Sequence, residues 1–206
     1  MGKKVLILVY FFLIINSSFA LNYSQIKKAY ENSFRFEVLG KYKEAIEALS
    51  LVYKEYPDGY TVNLRLGWLY YLMKKYKNSL FHYEKAIKAL PYSVEAKLGY
   101  TLPLLAQVRY EDVEKVCYQI LNIDFYNYYG NLRLIYALRK QKKFDLAEKV
   151  CNKMLYIYPT DIEFLTQLPK IKIEANKKEE AKKLAKDILI ISPNNETAID
   201  VLKKEE

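Results

Sequence analysis

The stretch 66–91, LGWLYYLMKKYKNSLFHYEKAIKALP, closes on Pro91, and that proline is one node of a lattice. Pro57, Pro91, Pro159 and Pro193 are separated by 34 residues or a multiple of 34, and the missing node is Phe125, in the same turn context. A period of this length kept over five units marks helix pairs that each fail to bury their apolar face alone and stack into a solenoid. Twelve residues before the nodes stand Ala45, Ser79, Val113, Ala147 and Ala181, a column of mostly small side chains where two helices have to approach closely. Three residues further back stand Tyr42, Tyr76, Tyr110, Phe144 and Lys178, so that column opens on an aromatic in every unit but the last.

In the second unit, Leu66 and Gly67, Tyr70, Tyr76, Ser79, Tyr83, Ala86 and Pro91 follow one another at fixed intervals. In this pattern the chain resembles the tetratricopeptide repeat (TPR) family, over about residues 26–193. The resemblance implies an all-α fold, a right-handed α-solenoid of about five helix-turn-helix repeats at about 26–59, 60–93, 94–127, 128–161 and 162–195. It specifies a fold more than a function, because repeats of this kind serve unrelated ligands. The units depart from the pattern in places. Asn32 and Ser33, Tyr100 and Thr101, and Leu168 and Pro169 replace the Leu-Gly pair. Pro103 falls inside an expected helix, where it removes one hydrogen bond and crowds the Gly99 carbonyl, so a kink is expected there.

The lattice and the 3.6-residue apolar spacing predict first helices near 24–39, 60–73, 94–107, 128–141 and 162–175. Second helices are expected at 42–56, 76–90, 110–123, 144–157 and 178–191, and a short capping helix at 195–204. No strand is expected, and no Gly/Ser- or Pro-rich linker interrupts residues 26–193, so residues 21–206 read as a single domain.

Residues 1–20 are a separate object. Lys3 and Lys4 precede an apolar run from Val5 to Ile15, which ends in Asn16, Ser17, Ser18, Phe19 and Ala20. This reads as a secretory signal cut after Ala20; the apolar run is shorter than the about 20 residues that span a bilayer. Residue 21 is Leu, so no lipid-acceptor cysteine stands at the cut. The chain is therefore expected to be exported, periplasmic or secreted. The whole chain carries a formal charge of +9, and the loss of Lys3 and Lys4 with no acidic residue brings it to +7. The lysines are dispersed, as at Lys74 and Lys75 or Lys142 and Lys143, which reads as solvated helix surface and gives no contiguous stripe for nucleic acid. An anionic envelope surface is the alternative partner such a charge allows.

Catalytic chemistry has little to stand on. His82 is the only histidine and lacks a Cys or carboxylate at ligand spacing, and no phosphate-cradling loop, nucleophile elbow or paired-His motif occurs. No enzyme activity, cofactor or metal is expected. Cys117 and Cys151 stand one repeat apart, on the order of 10 Å by helix packing, too far for a disulfide, so two buried thiols are expected.

The resemblance implies that the first helices form the inner wall of the superhelix, along which peptide ligands lie. Mapped here, that wall is Tyr30, Phe34, Leu64, Trp68, Tyr71, Leu98, Leu102, Leu105, Leu132, Tyr136 and Arg139. The stripe is apolar and aromatic for a face open to water, a binding signal, and it is rich in residue types that dominate interface energy. The resemblance also implies a test against the family's chaperone-binding class, which clamps a terminal carboxylate with Lys, Asn and Arg. Tyr30, Phe34 and Leu98 stand where clamp residues belong, with Arg65 an isolated exception. The sequence therefore points to a protein-binding scaffold, a monomer or weak homo-oligomer, whose ligand is an apolar or amphipathic segment.

Overall fold

The computed structural model describes residues 21–203. The expected signal at 1–20 and Lys204, the end of the expected capping helix, lie outside the described residues. Among the described residues the chain is helical and contains no strand. It runs α1 (Tyr23–Val38), α2 (Tyr42–Glu47), α3 (Ser50–Glu55), α4 (Tyr60–Leu72), α5 (Tyr76–Ala89), α6 (Val94–Ala106) and α7 (Tyr110–Leu121). It continues through α8 (Tyr128–Lys140), α9 (Phe144–Ile157), α10 (Ile162–Leu165), α11 (Gln167–Glu174), α12 (Lys178–Ile191) and α13 (Glu196–Lys203).

The starts of α6, α8, α10 and α13 are set by side-chain caps that repeat with the lattice. Ser93, Asn127, Asp161 and Asn195 accept the backbone N–H three residues on, at 3.0, 2.8, 3.1 and 3.0 Å. These bonds satisfy donors that the first helical turn leaves free. Asn63 and Asn131 reach back to donate to the carbonyls of residues 57 and 59, and of 125 and 127, tying each turn to the helix it launches. Between the two helices of each pair, Gly40, Lys74, Val108, Lys142 and Asn176 all take positive φ, between 57° and 70°. The following N–H bonds the carbonyl five residues back, as in Lys75 to Tyr70 and Arg109 to Leu104. This is the Schellman closure. It turns the chain tightly enough to begin the second helix at Tyr42, Tyr76, Tyr110, Phe144 or Lys178.

The small-residue column sits where the helices meet. Ala45, Ser79, Val113, Ala147 and Ala181 are fully buried, and the Ser79 hydroxyl donates to the Gly67 carbonyl at 2.7 Å. The core runs along the stack in three clusters, around Leu49 and Leu66, around Leu104 and Leu138, and around Ala185 and Val201.

Two helices are interrupted. The expected helix 42–56 is divided at Ala48–Leu49, where the Leu49 N–H bonds the carbonyl three residues back. The expected helix 162–175 is divided at Thr166, one turn before Pro169, which has no N–H to offer the Leu165 carbonyl. By contrast, α6 continues through Pro103 to Ala106, with Thr101, Pro103 and Leu104 all buried and holding it in place. The interruption therefore falls at Pro169 rather than at Pro103. α13 begins 34 residues after α10, as the first helix of a further unit, and packs on α12.

Cys117 and Cys151 are free and buried, and burial pushes each thiol up to about 12. His82 is buried as well. Its ring stacks on Tyr70 at 5.2 Å, meets Tyr53 and Phe81 edge-on, and its Nδ1 lies 2.9 Å from the Asn63 amide oxygen. Burial first, then the nearby Lys85 charge, lower its pKa to about 4.

Candidate partner-binding wall

The inner wall is built by α1, α4, α6, α8, α10–α11 and α13. Five of the sequence-selected residues, Tyr30, Phe34, Leu64, Trp68 and Leu102, line one pocket of about 430 Å³ between α1, α4 and α6. Its volume lies within the range of sites that hold small ligands. Tyr71 extends the aromatic surface beyond the pocket, with its ring 5.7 Å from Trp68 and 6.2 Å from Tyr76. Leu98, Leu105 and Leu132 are half-buried against the central core, and so form the middle of the wall without entering the pocket. Tyr136 is exposed, edge-on to Tyr110 at 5.9 Å and beneath the Lys140 ammonium.

Arg139 stands apart from the stripe it was assigned to. It is 7% exposed, and it donates to both Glu174 carboxylate oxygens and to the Gln167 side chain. It lines a second pocket of about 240 Å³ with Lys170, Ile173, Glu174 and three residues of α13. Lys170 is held below its usual pKa by burial and then by the Arg139 charge.

Sequence reading left out Thr61, Tyr83, Glu95 and Gly99, all of which line the first pocket, and set Arg65 aside as an exception. Arg65 is 8% exposed and organises one side of the site. It pairs with Glu37, donates to Ser33 at 3.2 Å, and stacks over the Phe34 ring with Cζ 3.9 Å from the centroid. The Trp68 indole N–H donates to the other Glu37 oxygen at 2.6 Å, which fixes the ring in the pocket wall. Burial raises the Tyr30 pKa, and Thr61 and Arg65 partly oppose this. Thr61 lies near the Tyr30 hydroxyl, but their geometry falls outside a hydrogen bond. One signal did lie in the sequence. Glu31, Arg65, Gly99, Arg133 and Gln167 are a 34-residue column in which the third member alone has no side chain.

Among the described residues no cluster of His, Cys, Asp and Glu could hold a metal ion. No helix among them is long and apolar enough to cross a membrane. The wall offers contact surface, with aromatic rings, a shielded guanidinium and hydroxyls.

Comparison with known proteins agrees with this architecture. Two tetratricopeptide repeat profiles match, at residues 17–59 and 60–91. A tetratricopeptide repeat protein from Parabacteroides merdae superposes with a TM-score of 0.79 at 14% identity, over 86% of this chain and 72% of that one. YrrB, described as a TPR protein with an unusual peptide-binding site, gives 0.72 at 12% identity, over 85% and 90%. MamA from Desulfovibrio magneticus RS-1 gives 0.75 at 14% identity, over 84% and 97%. No curated protein matches the chain. Residues 17–91 thus match tetratricopeptide repeats and the chain has the fold of tetratricopeptide repeat proteins, which together support a protein–protein interaction scaffold.

Proposed function

We propose that the protein is an exported, non-enzymatic adaptor that holds an apolar or amphipathic segment of a partner protein along its inner wall. The observation that carries this reading is the pocket lined by Phe34, Leu64, Trp68 and Leu102, continued by Tyr71. Trp68 is anchored by its bond to Glu37, and Tyr71 by ring contacts with Trp68 and Tyr76, before any ligand arrives, so little freedom is lost on binding. The similarity to YrrB supports a peptide as the ligand form. Net basic charge carries less weight, because lysines such as Lys85, Lys143 and Lys172 are paired with carboxylates.

The test is capture from envelope extract with the chain as recovered after expression of residues 1–206, compared with the Trp68→Ala, Tyr71→Ala double variant. A protein retained by the wild type and lost by the variant, at unchanged helicity, supports the groove; equal retention by both overturns it. N-terminal sequencing of the same preparation checks export. Leu21 is expected as the first residue, and an intact leader refutes this part of the proposal.

A further inference from the structure

Resting on the groove reading, we propose that the first pocket receives one aromatic side chain with an uncharged hydrogen-bonding tip, the phenol of a partner tyrosine. Its floor is Tyr83, a residue of the second-helix layer that reaches the inner wall. A Cβ placed on Gly67 would lie 2.8 Å from the base of the Tyr83 ring. One placed on Gly99 would lie 2.2 Å from Cε1 and 2.6 Å from Cζ. The ring therefore passes from α5 through a gap between α4 and α6 that only two glycines leave open. The gap exists because Gly99 occupies the column that holds Arg65 and Arg133 in the flanking units. In Tyr83's own column the other units carry Leu49, Cys117, Cys151 and Ala185, none of which has the length or the hydroxyl to do the same.

Tyr83 is 2% exposed and lines the pocket, yet its hydroxyl has no hydrogen-bond partner among the described residues. Two more polar atoms of pocket-lining residues, Arg65 Nη2 and the Tyr30 hydroxyl, are buried and equally without partners. Buried polar groups are ordinarily satisfied, so two exceptions from two helices beside one pocket, with the Tyr83 hydroxyl also unbonded, require an explanation. A ligand group that both donates and accepts supplies it. The half-exposed Phe34 ring, which covers the Arg65 guanidinium, is the side chain that has to swing aside to admit it. The rest of the lining, including Leu64, Trp68 and Leu102, fits an apolar ring.

Charge decides against an ionised tip. The Arg65 charge is already matched by Glu37, and Glu95 stands on the lining as a further carboxylate. A ligand carboxylate would face Glu95, and an ammonium would face Arg65. The inserted tip is therefore uncharged.

Trp68 is the only tryptophan in the chain and lines this pocket, so its emission, excited where tyrosine does not absorb, reports occupancy directly. The probes are toluene, p-cresol and p-toluate, one ring with three tips, titrated against the full chain with saturation-transfer NMR as a second readout. The expected result is p-cresol binding about fivefold more tightly than toluene and more tightly than p-toluate, the increment of one hydrogen bond. In Tyr83→Phe, which keeps the ring and the pocket shape, that advantage disappears while toluene affinity holds. Toluene equal to or tighter than p-cresol overturns the inference and leaves the apolar groove standing. Tightest binding of p-toluate overturns it in favour of a carboxylate ligand, and a p-cresol advantage that survives Tyr83→Phe overturns the part given to the Tyr83 hydroxyl. Saturation by none of the probes in either readout overturns the inference and the groove together.

Discussion

The two ends of the inner wall are built on one lattice and differ in how completely their cations are used. At the N-terminal end Arg65 leaves one amino group without a partner and stands beside a pocket of about 430 Å³ lined by aromatic and aliphatic side chains. At the C-terminal end Arg139 spends its donors on Glu174 and Gln167, beside a pocket of about 240 Å³ whose lining is mostly charged and polar. Both arginines are buried to the same degree. Burial of a charged side chain therefore does not distinguish a receptive surface from a closed one. What distinguishes them is whether the neighbouring helix supplies acceptors, as α11 does through Gln167 and Glu174, or a gap, as α6 does at Gly99.

Acid should separate the two halves most sharply. The folded pKa of His82 is about 4, below its ordinary value of 6.5, so the unfolded chain takes up the proton first. Stability from this group is complete above pH 6.5 and falls as the pH drops, by about 3 kcal/mol at pH 4. The only histidine lies in α5, behind the N-terminal pocket, and in a solenoid each repeat leans on its neighbours alone. Hydrogen exchange between pH 7 and 4.5 should show α4 and α5 losing protection before α9 and α12. His82→Leu should flatten that difference. Equal loss at both ends in the wild type would break the comparison.

Arg139→Ala should cost about 2 kcal/mol in chemical denaturation, since Glu174, partly exposed, loses its partner in a buried pair. Binding of p-cresol beside Trp68 should stay unchanged in that variant. A matching loss of binding would mean that the two ends are coupled. The smallest effect is expected at the boundary between the halves. Val108 is a β-branched residue at φ 61°, in the position that Gly40 fills in the first unit. Val108→Gly should stabilise the protein by about 1 kcal/mol, a rise of a few degrees in Tm. A fall would show that the exposed Val side chain makes a contact worth more than the strain.

Much of the fold could be read from spacing. The helix starts at Tyr76, Tyr110 and Phe144, and the buried column from Ala45 to Ala181, lie where the period puts them. The left-handed turn positions were hidden, because Lys74, Val108 and Lys142 do not announce positive φ as Gly40 and Asn176 do. In those units the Schellman bonds and the packing of the pair impose the conformation against residue preference. The two prolines inside first helices were also not separable by sequence. Both Pro103 and Pro169 remove a donor and both are buried, but only Pro103 lies in a helix that stays continuous.

The candidate wall was legible as a face and not as a site. Trp68, Leu64 and Phe34 could be placed because a helical period assigns each residue to a side. Arg139 could not be removed from that set, since Glu174 and Gln167 meet it only after the next unit has stacked. Tyr83 could not be added, because its column belongs to the other layer and its path depends on two glycines from two different helices. The sequence alone determined a repeating all-α scaffold, its register and its inner face, because these follow from a period repeated along the chain. Only the tertiary structure decided which polar groups are satisfied and where the wall opens, because those outcomes depend on what adjacent units offer one another at contact distance.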